Sequence, residues 1–380
     1  MLILRDGELI TYKTEKLNDL FKFEKKSKIK AGEGLDEGKY KFFTSSPIQS
    51  KFLEEYTFDK ESLIFGTGGQ PSVHYCNEKF STSTDCFVIY STQDKVIPKY
   101  VYYYLLSNMN ILERGFKGAG LKHISKKYLQ NIDIIYPTDI SQQKKIINKL
   151  TVIEELISLR EKSIKLLEFY LNSLFEKLFL NKDFKSDLLK NHTSLITSGS
   201  TPKGGRKNYT PTGDILFIRS QNVLMNKFSN HDALYISMDI HNKMKRTWLK
   251  TNDVLLNITG ASIGRTVVYE GSSDKANLNQ HVCIIRLRDL NEINPIFLNY
   301  YLSSNVIQRH IKKVNAGATR EALNFTQIGN FKIIIPPIDL QNSFSNTVMK
   351  IRSIEKKQIE SKNHLQSLFS AIMQNSLLKE

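Results

Sequence analysis

Residues able to do chemistry are few, and each falls short of a working set. Methyl transfer to an exocyclic base amine needs an (Asp/Asn/Ser)-Pro-Pro-aromatic loop that accepts hydrogen bonds from that amine. Pro336-Pro337 is flanked by Ile335 and Ile338, and Asn294-Pro295 lacks the second proline. A metal-dependent nuclease would hold its cation with an Asp and a Glu-x-Lys whose lysine helps to activate water. Asp19 with Glu37-Gly38-Lys39 matches loosely, but Lys39 leads into the apolar stretch Tyr40 to Phe43 and has no equivalent later in the chain. Gly66-Thr67-Gly68-Gly69 lacks the Gly-x-Gly-x-x-Gly spacing of a cofactor loop and reads as a tight strand turn. His74, His123, His281 and His310 have no Cys or carboxylate at ligand spacing. Cys76, Cys86 and Cys283 are odd in number, without Cys-x-x-Cys, and read as reduced thiols. The expectation is a chain with no catalytic residues, no metal and no cofactor of its own.

Charge points to binding instead. The formal net charge is +16, from 54 Lys and Arg against 38 Asp and Glu in 380 residues, so a polyanion is the first partner to consider. No run of about 18 apolar residues exists, and Arg5, Asp6 and Glu8 interrupt what would be a signal's apolar core. A soluble, cytoplasmic protein is expected.

An internal duplication shows what must position any binding residues. Glu61 to Ile89 runs parallel to Asn252 to Leu287, each reading as a strand, a Gly-containing turn and two more strands. Ile97 to Leu106 matches Asn294 to Leu302, a helix opened by Pro near its first turn. Gly118 to Lys122 matches Gly317 to Arg320, and Ile132 to Pro137 matches Phe331 to Pro337. After each half comes a heptad seam. Ile146, Leu150, Ile153, Ile157, Ile164, Leu167, Leu171, Leu174 and Leu178 form the first, broken only by Arg160. Leu340, Phe344, Ile351, Ile354, Leu365, Leu368 and Ile372 form the second, with Thr347, Gln358 and Ser361 as polar members.

The order is globule at 1–138, helix at 139–181, globule at 182–338 and helix at 339–380. Because the linker after Leu180 is short, the second globule must begin at the far end of the first helix, which forces the helices antiparallel. The expected fold is therefore α+β, with two similar globules of mixed β-sheet and helices, separated by two long helices in an antiparallel coiled coil with pseudo-two-fold symmetry. Each helix would be roughly 60 Å long at ~1.5 Å per residue. At their crossing Arg160 would face Gln358 and Ser361, a polar layer that fixes register at some cost in stability.

Two similar basic globules on a rigid spacer suit the reading of two DNA half-sites at a set distance. Lys16-Leu17-Asn18-Asp19 and Ser198-Gly199-Ser200-Thr201-Pro202-Lys203 look like domain openings of a known family. Trp248-Leu249-Lys250 leading into Asp253-Val254-Leu255-Leu256, then Asn279-Gln280-His281, and Ile333 to Pro337 before Leu340-Gln341, look like its recurring core segments. In these residues, their order and their duplication, the sequence resembles the specificity subunit of Type I restriction-modification enzymes over essentially its whole length. The resemblance implies two target-recognition domains, each reading half of a split DNA target, and helices that set the spacer. It further implies two docked modification subunits carrying S-adenosylmethionine, and restriction subunits carrying the ATP- and Mg-dependent nuclease and translocase. One departure is the first opening, Phe21 to Lys26, which has no Ser-Gly-Thr-Pro loop. A self-contained methyltransferase or endonuclease with a divergent site is the alternative, and a structural coiled-coil adaptor a third.

Features shared by the two halves should be scaffold or phosphate contacts, whereas base readers should differ. Lys122 and Arg320, each after a Gly-Ala loop, are the expected phosphate contacts. Lys203, Arg206 and Lys207 in a glycine-rich loop, and Arg219, Gln221 and Asn222 after the strand Ile215 to Ile218, are the expected readers of the second half. Thr44, Ser45, Ser46 and Gln49 take the corresponding place in the first. The cluster Lys25, Lys26, Lys28 and Lys30 reads as a solvated or phosphate-facing edge. Tyr102, Tyr103 and Tyr104 point about 100° apart on a helix, so they make no single stacking platform and at least one is core.

Overall fold

The duplication reappears in the hydrogen-bonded register of two sheets in each half. In the computed structural model, which describes residues 1–5, 8–202, 204–315 and 321–377, the chain divides into two compact units. One takes Met1–Lys162 with Ile359–Glu380, the other Ser163–Gln358. The first has a four-stranded sheet in the order Phe21–Phe23, Cys86–Ser91, Ser62–Gly66, Val73–Cys76, and a three-stranded sheet Lys51–Leu53, Tyr40–Phe43, Phe80–Thr82. The second repeats this as Thr193–Ser198, Val282–Leu287, Val254–Asn257, Thr266–Val268, and as Leu234–Ile236, Ile215–Ile218, Ala276–Leu278. In these two three-stranded sheets the last-named pair is parallel, and the other pairing is antiparallel. The central strands Ser62–Gly66 and Val254–Asn257 are buried at every position, which is why they read as unbroken apolar runs rather than alternating ones.

The two proline-opened helices are Pro98–Ser107 and Pro295–Ser303. Asn294 caps the second, accepting from the N–H groups of Ile296 and Phe297. Tyr100, Tyr103 and Tyr104 are all buried, so two of the three consecutive tyrosines are core, while Tyr102 packs half-buried on Tyr75.

Each long helix is pinned to its globule by one buried glutamine. Gln143 donates to the carbonyls of Lys95 (3.0 Å) and Pro137 (2.8 Å) and accepts from the Ile97 N–H (2.9 Å). Gln341 repeats the arrangement with Glu292, Pro336 and the Asn294 N–H. Every partner is a main-chain group, and three bonds satisfy most of what a buried amide can make.

The first long helix runs Ile140–Phe175 and ends in a wide π turn, Glu176–Leu180; the second runs Ile338–Ser376. Their pairing is antiparallel within each unit. In the first, Ile146 and Leu150 share a core with Met373 and Leu377, and the Arg160 Nε donates to Ser361 Oγ at 3.2 Å. In the second, Phe175 meets Phe344, and the Lys227 ammonium bridges Glu168 of the first helix and Glu355 of the second.

The phase of the second seam departs from expectation. Phe344 and Ile351 face inward, but Ile354 and Leu368 are 46% and 48% exposed, and Val348 and Glu355 are buried. The seam runs 344, 348, 351, 355, with the residue four after each shared position inside rather than the residue three after. A buried carboxylate at 355 is tolerable only beside a cation, and that cation is Lys227, contributed by a hairpin far away in sequence. The amide oxygen of Gln358 is buried and finds no hydrogen-bond partner among the described residues.

A second buried ion pair organises the segment Trp248 to Asp253. The Asp253 carboxylate, 1% exposed, accepts from Arg286 through both oxygens (2.7 and 2.8 Å) and from the Lys250 N–H, while Arg286 also donates to the Trp248 carbonyl. Trp248 in turn stacks on His241 with ring centroids 4.5 Å apart. Asp253→Ala leaves the Arg286 guanidinium uncompensated and the loop unpinned. It is expected to destabilise the second unit by about 3 kcal/mol, measured as a lower denaturant midpoint for its unfolding.

Candidate nucleic-acid interface

Loops that follow and join these strands form an open cleft in the second unit. Ser220 and Gln221 line it from the turn after Ile215–Ile218, Thr259 to Ser262 and Arg265 from the turn before Thr266–Val268, and His281 from the start of Val282–Leu287. Its volume is about 450 Å³, and among the described residues no carboxylate lines it. The turn Gly260–Ser262 needs its glycines: Gly260 sits at φ +69° and Gly264 at φ +85°, in the left-handed region that residues with a Cβ adopt at a cost. Gly264 is also covered closely by Gln308, which donates to the Gly264 carbonyl.

His281 forms the cleft's wall in a fixed orientation. Its Nδ1 lies 2.6 Å from Thr259 Oγ1 and its Nε2 lies 3.2 Å from the Gln280 amide nitrogen. Since that amide can only donate, the imidazole carries its proton on Nδ1 and donates to Thr259. Thr201 donates to the Gln280 carbonyl oxygen. This ties the Ser198-to-Pro202 opening to the cleft. Gly199 passes so close to the Leu278 carbonyl that any side chain there would overlap it.

In the first unit the equivalent turn is occupied. Ser45 donates to the Asp85 carbonyl (2.8 Å) and accepts from the Thr67 and Gly68 N–H groups, so it fills the space that is open in the other unit. His74 contacts the Ser46 carbonyl at 2.9 Å, and burial holds its imidazole below the ordinary histidine range. Thr44 and Ser46 accept from N–H groups two residues on, and Gln49 donates to the Lys51 carbonyl, at an exposed tip carrying Ile48.

A family profile described as the Type I restriction modification DNA specificity domain matches residues 10–168 and again 193–367. The chain belongs to this family. It is a DNA target-recognition subunit, not an enzyme. The specificity subunit of the Type I restriction enzyme MjaVIII from Methanocaldococcus jannaschii is 22% identical over 378 residues, covering 91% of this chain and 88% of that one. The EcoBI specificity subunit from Escherichia coli is 24% identical over 347 residues, covering 83% and 72%. Among solved structures, the Type I restriction-modification S subunit from M. genitalium superposes with a TM-score of 0.65 at 15% identity over 100% of this chain and 99% of that one. A structure addressing complex assembly and conformational transition of the Type I system superposes with a TM-score of 0.55 at 15% identity, covering 96% and 97%. These two likenesses concern the fold.

The expected contact residues separate into groups. Gln221 and Lys207 are exposed, Gln221 in the cleft and Lys207 beside Asp214 in a neighbouring one. Asn222 is not available to DNA as placed. It is 1% exposed, accepting from the Arg219 N–H and donating to the Ser229 and His231 carbonyls. Arg219 is half-buried, with one guanidinium nitrogen donating to the exposed Asp232 carbonyl. Both are loop fasteners, because a two-turn excursion between strands must satisfy its own carbonyls. Ser45 is likewise committed internally. Lys203, Arg320 and the side chain of Arg206 lie outside the described residues. Lys122 is exposed, but the Ile124 N–H bonds the Thr67 carbonyl as the Leu323 N–H bonds the Ile258 carbonyl. That register sets Lys122 level with Glu321 rather than with Arg320. Arg265 and Thr259 carry little signal in the sequence; the one hint is Gly260 and Gly264 bracketing a short turn before an arginine.

Among the described residues no group of three or more His, Cys, Asp or Glu could hold a metal ion, and no helix is long and apolar enough to cross a membrane.

Proposed function

We propose that residues 1–138 and 182–338 are two target-recognition domains, each reading one half of a split double-stranded DNA target, and that the helices at 139–181 and 339–380 set the spacer. The observation that carries this reading is one sheet frame built twice with different side chains on the same loops. A shared frame suits the shared geometry of duplex backbone, and unlike loops suit unlike half-sites. Arg160 and Ser361, with Gln358 close by in sequence, hold the helix register.

Two modification subunits dock on the chain and bring S-adenosylmethionine, and restriction subunits bring the ATP- and Mg-dependent machinery, in the cytoplasm. Apolar side chains left exposed on the first long helix, Val152 and Leu159 in one unit and Leu166 and Phe169 in the other, support docking of partners there. Lys122 and Arg320, basic residues that fall within one position of each other in the two repeats, are backbone contacts. Lys207 and Gln221, with Lys203 and Arg206, are base contacts of the second half, and Thr44, Ser46 and Gln49 of the first.

Purified chain incubated with S-adenosylmethionine, Mg²⁺ and DNA is expected to leave the DNA unmethylated and uncut. With its modification partner added, methylation is expected at a two-part motif, read by single-molecule sequencing. Methylation or cleavage by the chain alone would instead establish the self-contained enzyme.

A further inference from the structure

We propose that Arg265 is a specificity-determining residue of the second half-site, donating in bidentate fashion to the N7 and O6 acceptors of one guanine in the major groove. This rests on the two-half-site reading above and assigns one contact within it.

The guanidinium stands apart from its neighbours. Among the described arginine side chains of the second unit, six donate to carbonyls, hydroxyls or carboxylates of the chain. Only the Arg265 guanidinium makes neither a hydrogen bond nor an ion pair among the described residues. It is half-buried in a cleft that the described residues line with hydroxyls, an amide and an imidazole but no carboxylate. A cation left unpaired there, with its planar fork open, suits a planar acceptor edge from outside, and arginine on guanine is the commonest such match.

Its backbone is held, so the fork is presented from a rigid base. The Arg265 N–H bonds the Ser262 carbonyl at 3.1 Å and its carbonyl accepts from Asn257 at 2.8 Å. The preceding Gly264 is anchored to Gln308. Preorganisation of this kind cuts the ordering cost of binding.

The comparison between the halves distinguishes base from phosphate. Val254 pairs with Val268 as Leu63 pairs with Tyr75, so Arg265 occupies the place of Ser72 in the first unit. Ser72 is buried and its hydroxyl donates to the Ser45 carbonyl. A contact to sequence-independent backbone would be wanted in both halves. One present in only the second belongs to what that half alone must recognise.

The test uses the chain assembled with its modification subunits. The methylated motif is read for wild type, Arg265→Ala and Arg265→Lys, and binding is titrated against salt on duplexes carrying each base pair in turn. Both variants are expected to lose discrimination at one guanine-containing position of the second half, by about 10- to 100-fold, with the first half and the spacer unchanged. Lysine keeps the charge but not the fork, so its failure to restore the preference would support bidentate readout. Uniform weakening on all sequences with a salt slope shallower by about one unit would make Arg265 a phosphate contact and overturn the proposal. An unchanged motif would overturn it as well. Retention of the other specified positions of the second half reports correct folding of each variant. A wild-type complex without a split motif would remove the two-half-site reading and this one together, whereas a split motif indifferent to Arg265 removes this one alone.

Discussion

A chimera in which residues 187–336 are replaced by the matching segment of a relative is expected to methylate a motif with one half exchanged, the other half intact and the spacer unchanged. The exchange should be complete at every specified position of that half. The graft boundaries are favourable because the second globule joins its helices through main-chain chemistry. Asp187 and Leu188 pair with Ile333 and Lys332 inside the graft, and Gln341 outside it bonds the backbone of Glu292, Asn294 and Pro336. None of those bonds depends on which side chains the donor brings. What does depend on side chains is the aromatic junction: Phe175, Phe179 and Phe344 of the recipient stack on Phe297 and Tyr300 of the graft. Donors with aromatic residues at both positions should give stable chimeras. A truncated side chain there should cost about 3–5 kcal/mol in cavity and lost contacts. The measurement is the methylated motif of the chimera's genome. A change in both halves would refute independent reading.

Periodicity and repetition were legible in the chain because they are carried by many residues at once. Ser62–Gly66 and Val254–Asn257, the proline-opened helices and the first seam all follow from apolar spacing and local breakers, and each is present as expected. Long-range partners were not legible. Two heptad phases of the second helix share 344, 351, 358 and 365, and composition does not choose between Ile354 and Glu355. Lys227 does, from a hairpin more than a hundred residues earlier. The same limit governs the site. Asn222 has a type that reads bases, but the excursion between strands buries it and commits its amide internally. Nothing local in the sequence distinguishes Arg265, whose guanidinium is uncommitted, from a paired arginine.

Lengthening the two helices together is expected to lengthen the spacer of the methylated motif and leave both half-sites unchanged. Seven residues would be inserted beside Arg160 and seven beside Gln358, near where the Arg160–Ser361 bond marks matched levels. Seven residues restore the heptad phase, so Ile146 and Leu150 on one side of the insert and Leu171 and Phe175 on the other keep their inward faces. Insertion of five residues instead rotates everything beyond it by about 140° and should abolish assembly, since Leu171 and Phe344 would then face solvent. The seven-residue insert adds about 10 Å along the helix. At about 3.4 Å per base pair, that corresponds to at most roughly three extra pairs, fewer if the helices lie oblique to the duplex. Each added pair also turns one half-site by about 35° around the DNA, so methylation should slow as the spacer grows, with the preferred length set by the compromise between reach and rotation. The readout is the spacer of the methylated motif. An active insertion variant with its original spacer would show that something other than the paired helices sets the distance.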